Sequence, residues 1–394
     1  MSGSSEIPER PLSPTYHEAV AAALRRGDGP APARTWRTDF TFFCDETGNT
    51  GPQFYAPDQP LYVEAGWLVH NGRCEDLARA FAETEARHGF NPKTKGTRLK
   101  DHRRGRECVV EALALVAQSA TPFLYVVEKR YFICAKAVET YFDPNYNPAV
   151  DAIETFDPNI RKLRADLLYR APETLVSAFA EAFRREDSAA IAGLGPAWVA
   201  ALRSDRQAGM AFQLQVGLPE IQRHMAEEFA RTRALGLPRG YNSLNAPTLA
   251  QTFQLIERSS PPCNLIHDQC ETLAPIYRYF FDRYRDARPG VLPKFDGGVE
   301  IFGFRNLHSL SFGDSEQMPL LRACDYLTAM CVEFARRAVA GEDIPEQVHV
   351  CAEYGWGRML REARSLKTDQ TRFQIGEIMA ADRWIEKVAA QHVV

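Results

Sequence analysis

Three aspartates, Asp45, Asp268 and Asp325, occupy settings where a lone carboxylate is costly to keep. Asp45 closes an aromatic run (Phe40, Phe42, Phe43) and is followed by Glu46 and the turn-rich Thr47-Gly48-Asn49-Thr50-Gly51. Strand composition before the acids and turn chemistry after them place Asp45 and Glu46 at the C-terminal end of a strand. Asp268 follows His267 at the end of the short apolar strand Cys263–Ile266, directly before a helical pattern. Asp325 lies inside a helical pattern, beside a stripe formed by Leu320, Cys324, Leu327, Cys331 and Phe334. Asp is a poor helix former, so this position has a non-local reason or is simply tolerated. Two strand ends and one facing helix can bring such acids together. Clustered carboxylates raise one another's pKa unless a cation sits among them. Mg²⁺ or Mn²⁺ suits hard oxygen ligands, and the matching chemistry is metal-assisted phosphodiester hydrolysis. The plainer alternative for Asp45 is a side chain that bonds turn amides.

A second feature is the basic run KTKGTRLKDHRRGR over 93–106. It holds Lys93, Lys95, Arg98, Lys100, Arg103, Arg104 and Arg106 against one acid, Asp101. Such a strip is either a solvated loop and helix start or a track for a phosphate backbone, giving sequence-independent, salt-sensitive contact. Tyr55, Phe90 and Tyr131 are read as core or loop packing rather than as base-stacking platforms. His267 is read as a hydrogen-bonded structural residue at a strand end. Nothing orients Cys263, His267 and Cys270 as a thiol nucleophile. Gly297-Gly298 and Gly303 lack the strand-glycine-helix context of a dinucleotide or phosphate loop.

These residues need elements to hold them. Residues 1–36 form a Pro-rich arm with a short helix from Tyr16 to Arg26. Residues 37–135 carry a strand ending at Asp45, a strand over Leu61–His70, two helices and the continuously apolar strand Thr121–Glu128. Residues 136–245 read as a helical insertion, with helices near 160–187 (interrupted at Pro172), 196–203 and 209–235. Residues 246–340 resume the core: a helix near 247–258, the strand before Asp268, the helix Glu271–Arg285, a loop over Pro289–Gly298, the strand Leu307–Phe312 and a long helix from Pro319. Residues 341–394 add two helices, around 356–366 and 372–391. The class is α/β: a central mixed sheet flanked by helices, in the ribonuclease H-like order of antiparallel strands first and then alternating helices and strands.

Composition narrows the function. The 394 residues carry a formal net charge of -4, so any nucleic-acid binding comes from a local patch. The nine cysteines show no metal spacing and sit in apolar segments, as expected of reduced thiols in a cytoplasmic protein. There is no secretory leader pattern and no stretch of about 18 apolar residues, so no membrane partner is expected.

The segment CDETGNTG resembles the DESG(D/N)TG opening of the DUF3800 family, whose members resemble ribonuclease H-like metal-dependent nucleases. KGTRL, NLIHDQ and FGDSEQMPLLRACDYLTA resemble, in order, that family's later motifs, over about residues 40–330. The resemblance implies metal binding by Asp45, Asp268 and Asp325, with Glu46 as a fourth acid, Mg²⁺ or Mn²⁺ as cofactor, and DNA or RNA as substrate. Beside it, the residues' own charge makes Lys93, Lys95, Arg98, Lys100, Arg103, Arg104 and Arg322 the candidates for binding phosphate or nucleic acid. By analogy the resemblance suggests bacterial defence, with the insertion and the arm as surfaces for a protein partner. The chain departs from the family pattern at Lys93, Gln269 and Arg322, where the family carries Glu, an acid and Gln. Those departures leave open a catalytically silent module that binds nucleic acid or recruits a partner on the same fold.

Overall fold

A computed structural model describes residues 38–48, 55–56, 59–151, 157–234, 245–271, 274–287, 289–293, 299–357 and 375–391. The N-terminal arm and its short helix lie outside these residues, as does most of the helix expected at 356–366.

The aromatic run forms β1 (Phe40–Thr47), which pairs antiparallel with β2 (Leu61–His70). β2 pairs antiparallel with β3 (Ala120–Glu128), whose last six residues are buried, as the unbroken apolar run TPFLYVV predicts. On the other side β1 pairs in parallel with β4 (Cys263–Asp268), and β4 in parallel with β7 (Leu307–Gly313). The sheet is completed by β8 (Ile375–Met379), parallel to β3, giving the order β7-β4-β1-β2-β3-β8. A separate hairpin joins β5 (Gly290–Pro293) and β6 (Val299–Phe302).

Three strands differ from the sequence reading: β6 has no counterpart there, and the other two stand where a loop and a helix are expected. The segment read as a loop over 289–298 contains β5, and part of the segment read as a helix over 372–391 is β8. Both strands are short, four and five residues, and carry no alternation strong enough to compete with the flanking pattern. Pairing with β6 and β3 decides their conformation.

Helices cover both faces of the sheet. One face carries α1 (Asn71–Arg87), the single turn α2 (Gly96–Leu99), α3 (Arg103–Ala117) and α11 (Pro319–Ala340), with α12 (Glu346–Ala352) against α3 and α11. The opposite face carries α9 (Asn245–Ser259) and α10 (Ala274–Arg285). α4 (Lys129–Tyr141) leaves β3 and leads into α5 (Pro158–Leu168), α6 (Glu173–Arg184), α7 (Ser188–Ser204) and α8 (Ala208–Ala234). α13 (Asp382–Gln391) packs on α11.

The pleat sorts the side chains of β1. Phe43 and Asp45 stand opposite Trp67 and Ala65 of β2, and Trp67 Nε1 donates to the Ala323 carbonyl of α11 at 3.4 Å. Phe43, Asp45, Ala65 and Trp67 therefore face α11, because alternate residues of a strand share a face. Cys44 and Glu46, opposite Gly66 and Glu64, face α9 and α10. Among the described residues no helix is long and apolar enough to cross a membrane, and all nine cysteines are free.

Candidate active site

The turn after β1 is fixed before any side chain is considered. Gly48 has φ +83, and a Cβ there would lie 1.9 Å from the Leu61 carbonyl oxygen. Only glycine suits that combination of backbone angle and close approach. Its own carbonyl accepts a hydrogen bond from Nζ of the buried Lys129 at 2.6 Å. The strand end that carries Asp45 is thus tied to β2 and to the start of α4.

The β1–β4 register pairs Cys44 with His267, so the next residues, Asp45 and Asp268, emerge side by side on the face toward α11. α11 supplies Asp325 from its second turn. Each carboxylate spends one oxygen on a main-chain N–H. Asp45 Oδ1 accepts from Glu46 at 2.8 Å, Asp268 Oδ1 from Ser315 at 3.0 Å, and Asp325 Oδ2 from Gly96 at 2.8 Å. The N–H that Asp45 holds belongs to its strand neighbour Glu46 and not to the turn that follows.

The three acids share one electrostatic environment. Burial pushes the Asp45 carboxyl well above the usual range, and the charges of Glu46, Asp325 and Asp268 push it further, while Lys95 pulls it down. Asp325 is raised by burial and by Asp268, against the Gly96 N–H and Lys95. The Lys95 ammonium lies 3.9 Å from Asp268 Oδ2 and donates to Ser315 Oγ at 3.1 Å. Lys95 and Gly96, adjacent in sequence, thus serve two different acids.

As placed, no three His, Cys, Asp or Glu side chains among the described residues stand close enough to hold one ion directly. The donors nevertheless suit Mg²⁺ or Mn²⁺ in kind. Such an ion keeps several waters and binds through one or two carboxylates plus the phosphates of a substrate, not through a complete protein cage. Asp45, Asp268 and Asp325 are the residues that would hold it.

The structure corrects two members of the expected set, Glu46 by the pleat of β1 and Arg322 by its burial. Glu46 lies on the face opposite the three aspartates, with Oε2 3.5 Å from His267 Nε2. It belongs to a buried polar cluster in which Glu64 accepts from Tyr62, Thr252 and Tyr277. His267 is fully buried in this cluster, with Nδ1 2.8 Å from the Asp268 carbonyl and Nε2 3.1 Å from the Tyr277 hydroxyl. It fixes the backbone of Asp268, as expected of a structural histidine. Arg322, expected to bind phosphate, is 3% exposed and forked onto Glu85, itself 2% exposed. Its Nε lies 2.9 Å from Glu85 Oε1 and its Nη2 2.6 Å from Oε2. A guanidinium so enclosed offers nothing to a ligand.

The basic strip divides. Lys93, Lys95, Arg98, Arg103 and Arg104 are exposed, and Lys100 is half-buried. Lys100 is held by Glu333 at 2.9 Å, Arg103 by Glu107 at 2.7 Å, and Arg104 lies over the Phe90 ring at 5.9 Å. Lys100 thus ties the end of α2 to α11, while Arg103 and Arg104 make a surface i,i+4 pair and a cation–π contact at the start of α3 and stay open to solvent. Sequence reading missed Ser315, Gly96 and Glu85. Ser315 and Gly96 lie inside the quoted motifs FGDSEQMPLLRACDYLTA and KGTRL but carry no assigned role there, and nothing local marks Glu85 as the partner of a residue 237 positions away.

The chain matches no family model, no curated protein and no solved structure.

Proposed function

We propose that this protein is a divalent-metal-dependent phosphodiesterase acting on DNA or RNA, on a ribonuclease H-like core. The observation that carries the reading is the meeting of Asp45, Asp268 and Asp325, from two parallel strand ends and a facing helix, around a single lysine. Buried acids that raise one another's pKa mark a place short of positive charge, the usual condition of a functional site. The strand arrangement supports the same reading: three antiparallel strands, then two parallel to the first, with a late helix supplying the last acid.

A bound Mg²⁺ or Mn²⁺ supplies an activated water and offsets charge on the phosphate oxygens. The chain's own residues do the rest. Main-chain N–H groups hold one oxygen of each aspartate, and the second oxygen of Asp268 lies beside Lys95. Lys95 offsets phosphate charge beside Asp268, and the exposed Lys93 and Arg98 extend that positive edge along the backbone of a nucleic acid.

A second reading, a catalytically silent nucleic-acid-binding module, draws on Lys95, whose ammonium already neutralises part of the carboxylate charge. Cleavage of single- and double-stranded DNA and RNA with Mg²⁺, Mn²⁺ or EDTA, for wild type and Asp45→Ala, separates the two. Metal-dependent cleavage lost in Asp45→Ala supports hydrolysis. Salt-sensitive binding without cleavage in any metal supports the silent module.

A further inference from the structure

The ion pair between Glu85 and Arg322 reaches the candidate site through one turn of chain. Arg322 Nη1, which Glu85 does not use, donates to the Ser315 carbonyl at 2.7 Å and to the Glu316 carbonyl at 3.1 Å. Ser315 is itself buried at 4% exposure. Its N–H holds Asp268 Oδ1 at 3.0 Å, and its hydroxyl accepts from Lys95 at 3.1 Å. The fork is closed from the far side by Tyr326, whose hydroxyl donates to Glu85 Oε1 at 2.6 Å. Arg322, Asp325 and Tyr326 lie within about one turn of α11, so the helix that carries one acid also carries the group that fixes the support of another.

We propose that Arg322, locked by Glu85, is a positioning residue: it sets the Asp314–Met318 turn, and through Ser315 it places the Asp268 carboxylate and the Lys95 ammonium. This rests on the reading of Asp268 as a metal ligand. A guanidinium suits the task because its planar fork can serve a carboxylate on one edge and carbonyls on the other, which an ammonium cannot do at once. Outer partners that orient a metal ligand commonly change affinity by about 10–100-fold when removed. A merely structural ion pair has a different signature. Replacing both members of a buried pair by apolar residues of similar size is often neutral for stability. A pair that served only packing would therefore leave the site untouched when exchanged in this way.

The test uses the full chain with Glu85→Leu and Arg322→Met combined, and with Arg322→Lys alone. Three quantities are read: melting temperature, amide hydrogen exchange over 314–318, and affinity for Mn²⁺ alone by calorimetry. In the paired variant the expected result is a melting temperature close to wild type, faster exchange confined to 314–318, and Mn²⁺ affinity lower by about 10-fold or more. Arg322→Lys keeps a charge against Glu85 but loses the reach to the carbonyls, so the same turn exchanges faster there too. It also provides the answer if the paired variant does not fold. Unchanged exchange over 314–318 in whichever variants fold overturns the proposal, and so does, where wild type binds Mn²⁺, an affinity in the paired variant equal to that of wild type. If wild type neither binds Mn²⁺ nor cuts nucleic acid, the hydrolytic reading fails, and the placing of Asp268 as a ligand with it. Exchange over 314–318 then still reports whether Arg322 sets the turn.

Discussion

The main-chain N–H of Gly96 donates to Asp325 Oδ2 at 2.8 Å across 229 positions of sequence. The contact exists because Gly96 lies directly on α11. A Cβ at this position would stand 2.8 Å from the Asp325 carbonyl oxygen and 3.1 Å from both Tyr326 Cα and Ala329 Cβ. Backbone on backbone at this range cannot be relieved by turning a side chain. Gly96→Ala is therefore expected to push the 95–99 segment off the helix. Overpacking of this kind costs roughly 1–3 kcal/mol. The measurement is denaturant unfolding together with nucleic-acid cleavage, and wild-type values in both would remove Gly96 from the site.

Asp325→Asn keeps an acceptor for the Gly96 N–H while removing the charge. Stability should stay within about 1 kcal/mol of wild type, as for a substitution that opens no cavity and strands no polar group. Cleavage should fall by more than about 100-fold, since even outer partners of metal ligands reach that figure. Undiminished turnover in a normally melting variant would count against the assignment.

Lys95→Met tests the electrostatics of the cluster. The lysine lowers the pKa of both Asp45 and Asp325, so it competes with any divalent ion for the same carboxylates. Removing it should tighten the binding of Mn²⁺ alone severalfold. It should also weaken nucleic-acid binding and reduce its salt slope by about 1. Weaker Mn²⁺ binding in Lys95→Met would show that the lysine supports the ion rather than opposing it.

Glu128, at the end of β3, gives a pH dependence independent of the site. Burial pushes its carboxyl from 4.5 up to about 7, against the Tyr131 N–H and Arg130, which favour the charged form. An acid raised in the fold holds a proton that the open chain has released. Its contribution to stability is therefore complete below about pH 4.5 and lost as pH rises through about 7. The share at stake is on the order of 3 kcal/mol. Glu128→Gln lacks this loss, so unfolding free energies at pH 4.5 and pH 8 should show the variant gaining on wild type by that order. Parallel profiles for the two proteins would contradict the assignment.

Much of this architecture is legible along the chain, because strands and helices announce themselves through local periodicity. Asp45 and Asp268 read as strand-end acids because an apolar run stops at each, and Asp325 as a helix-interior acid because it lies beside an apolar stripe of helical period. What periodicity cannot report is which face of a strand end turns to which helix. Glu46 follows Asp45 immediately, yet the pleat sends it through the sheet to His267, and only the pairing of β1 with β2 and β4 reveals the separation. Arg322 is the converse case. It is expected to bind phosphate as a cation standing where the resembled family carries Gln, while tertiary packing against Glu85 and Tyr326 buries the charge. The amino-acid order by itself determined the longer elements and the acids they carry, since propensity and hydrophobic period act over a few residues, whereas short strands such as β5 and β8 took their form from pairing. Only the folded chain decided which charges meet, because hydrogen bonds and Coulomb interactions depend on distances that sequence separation does not encode.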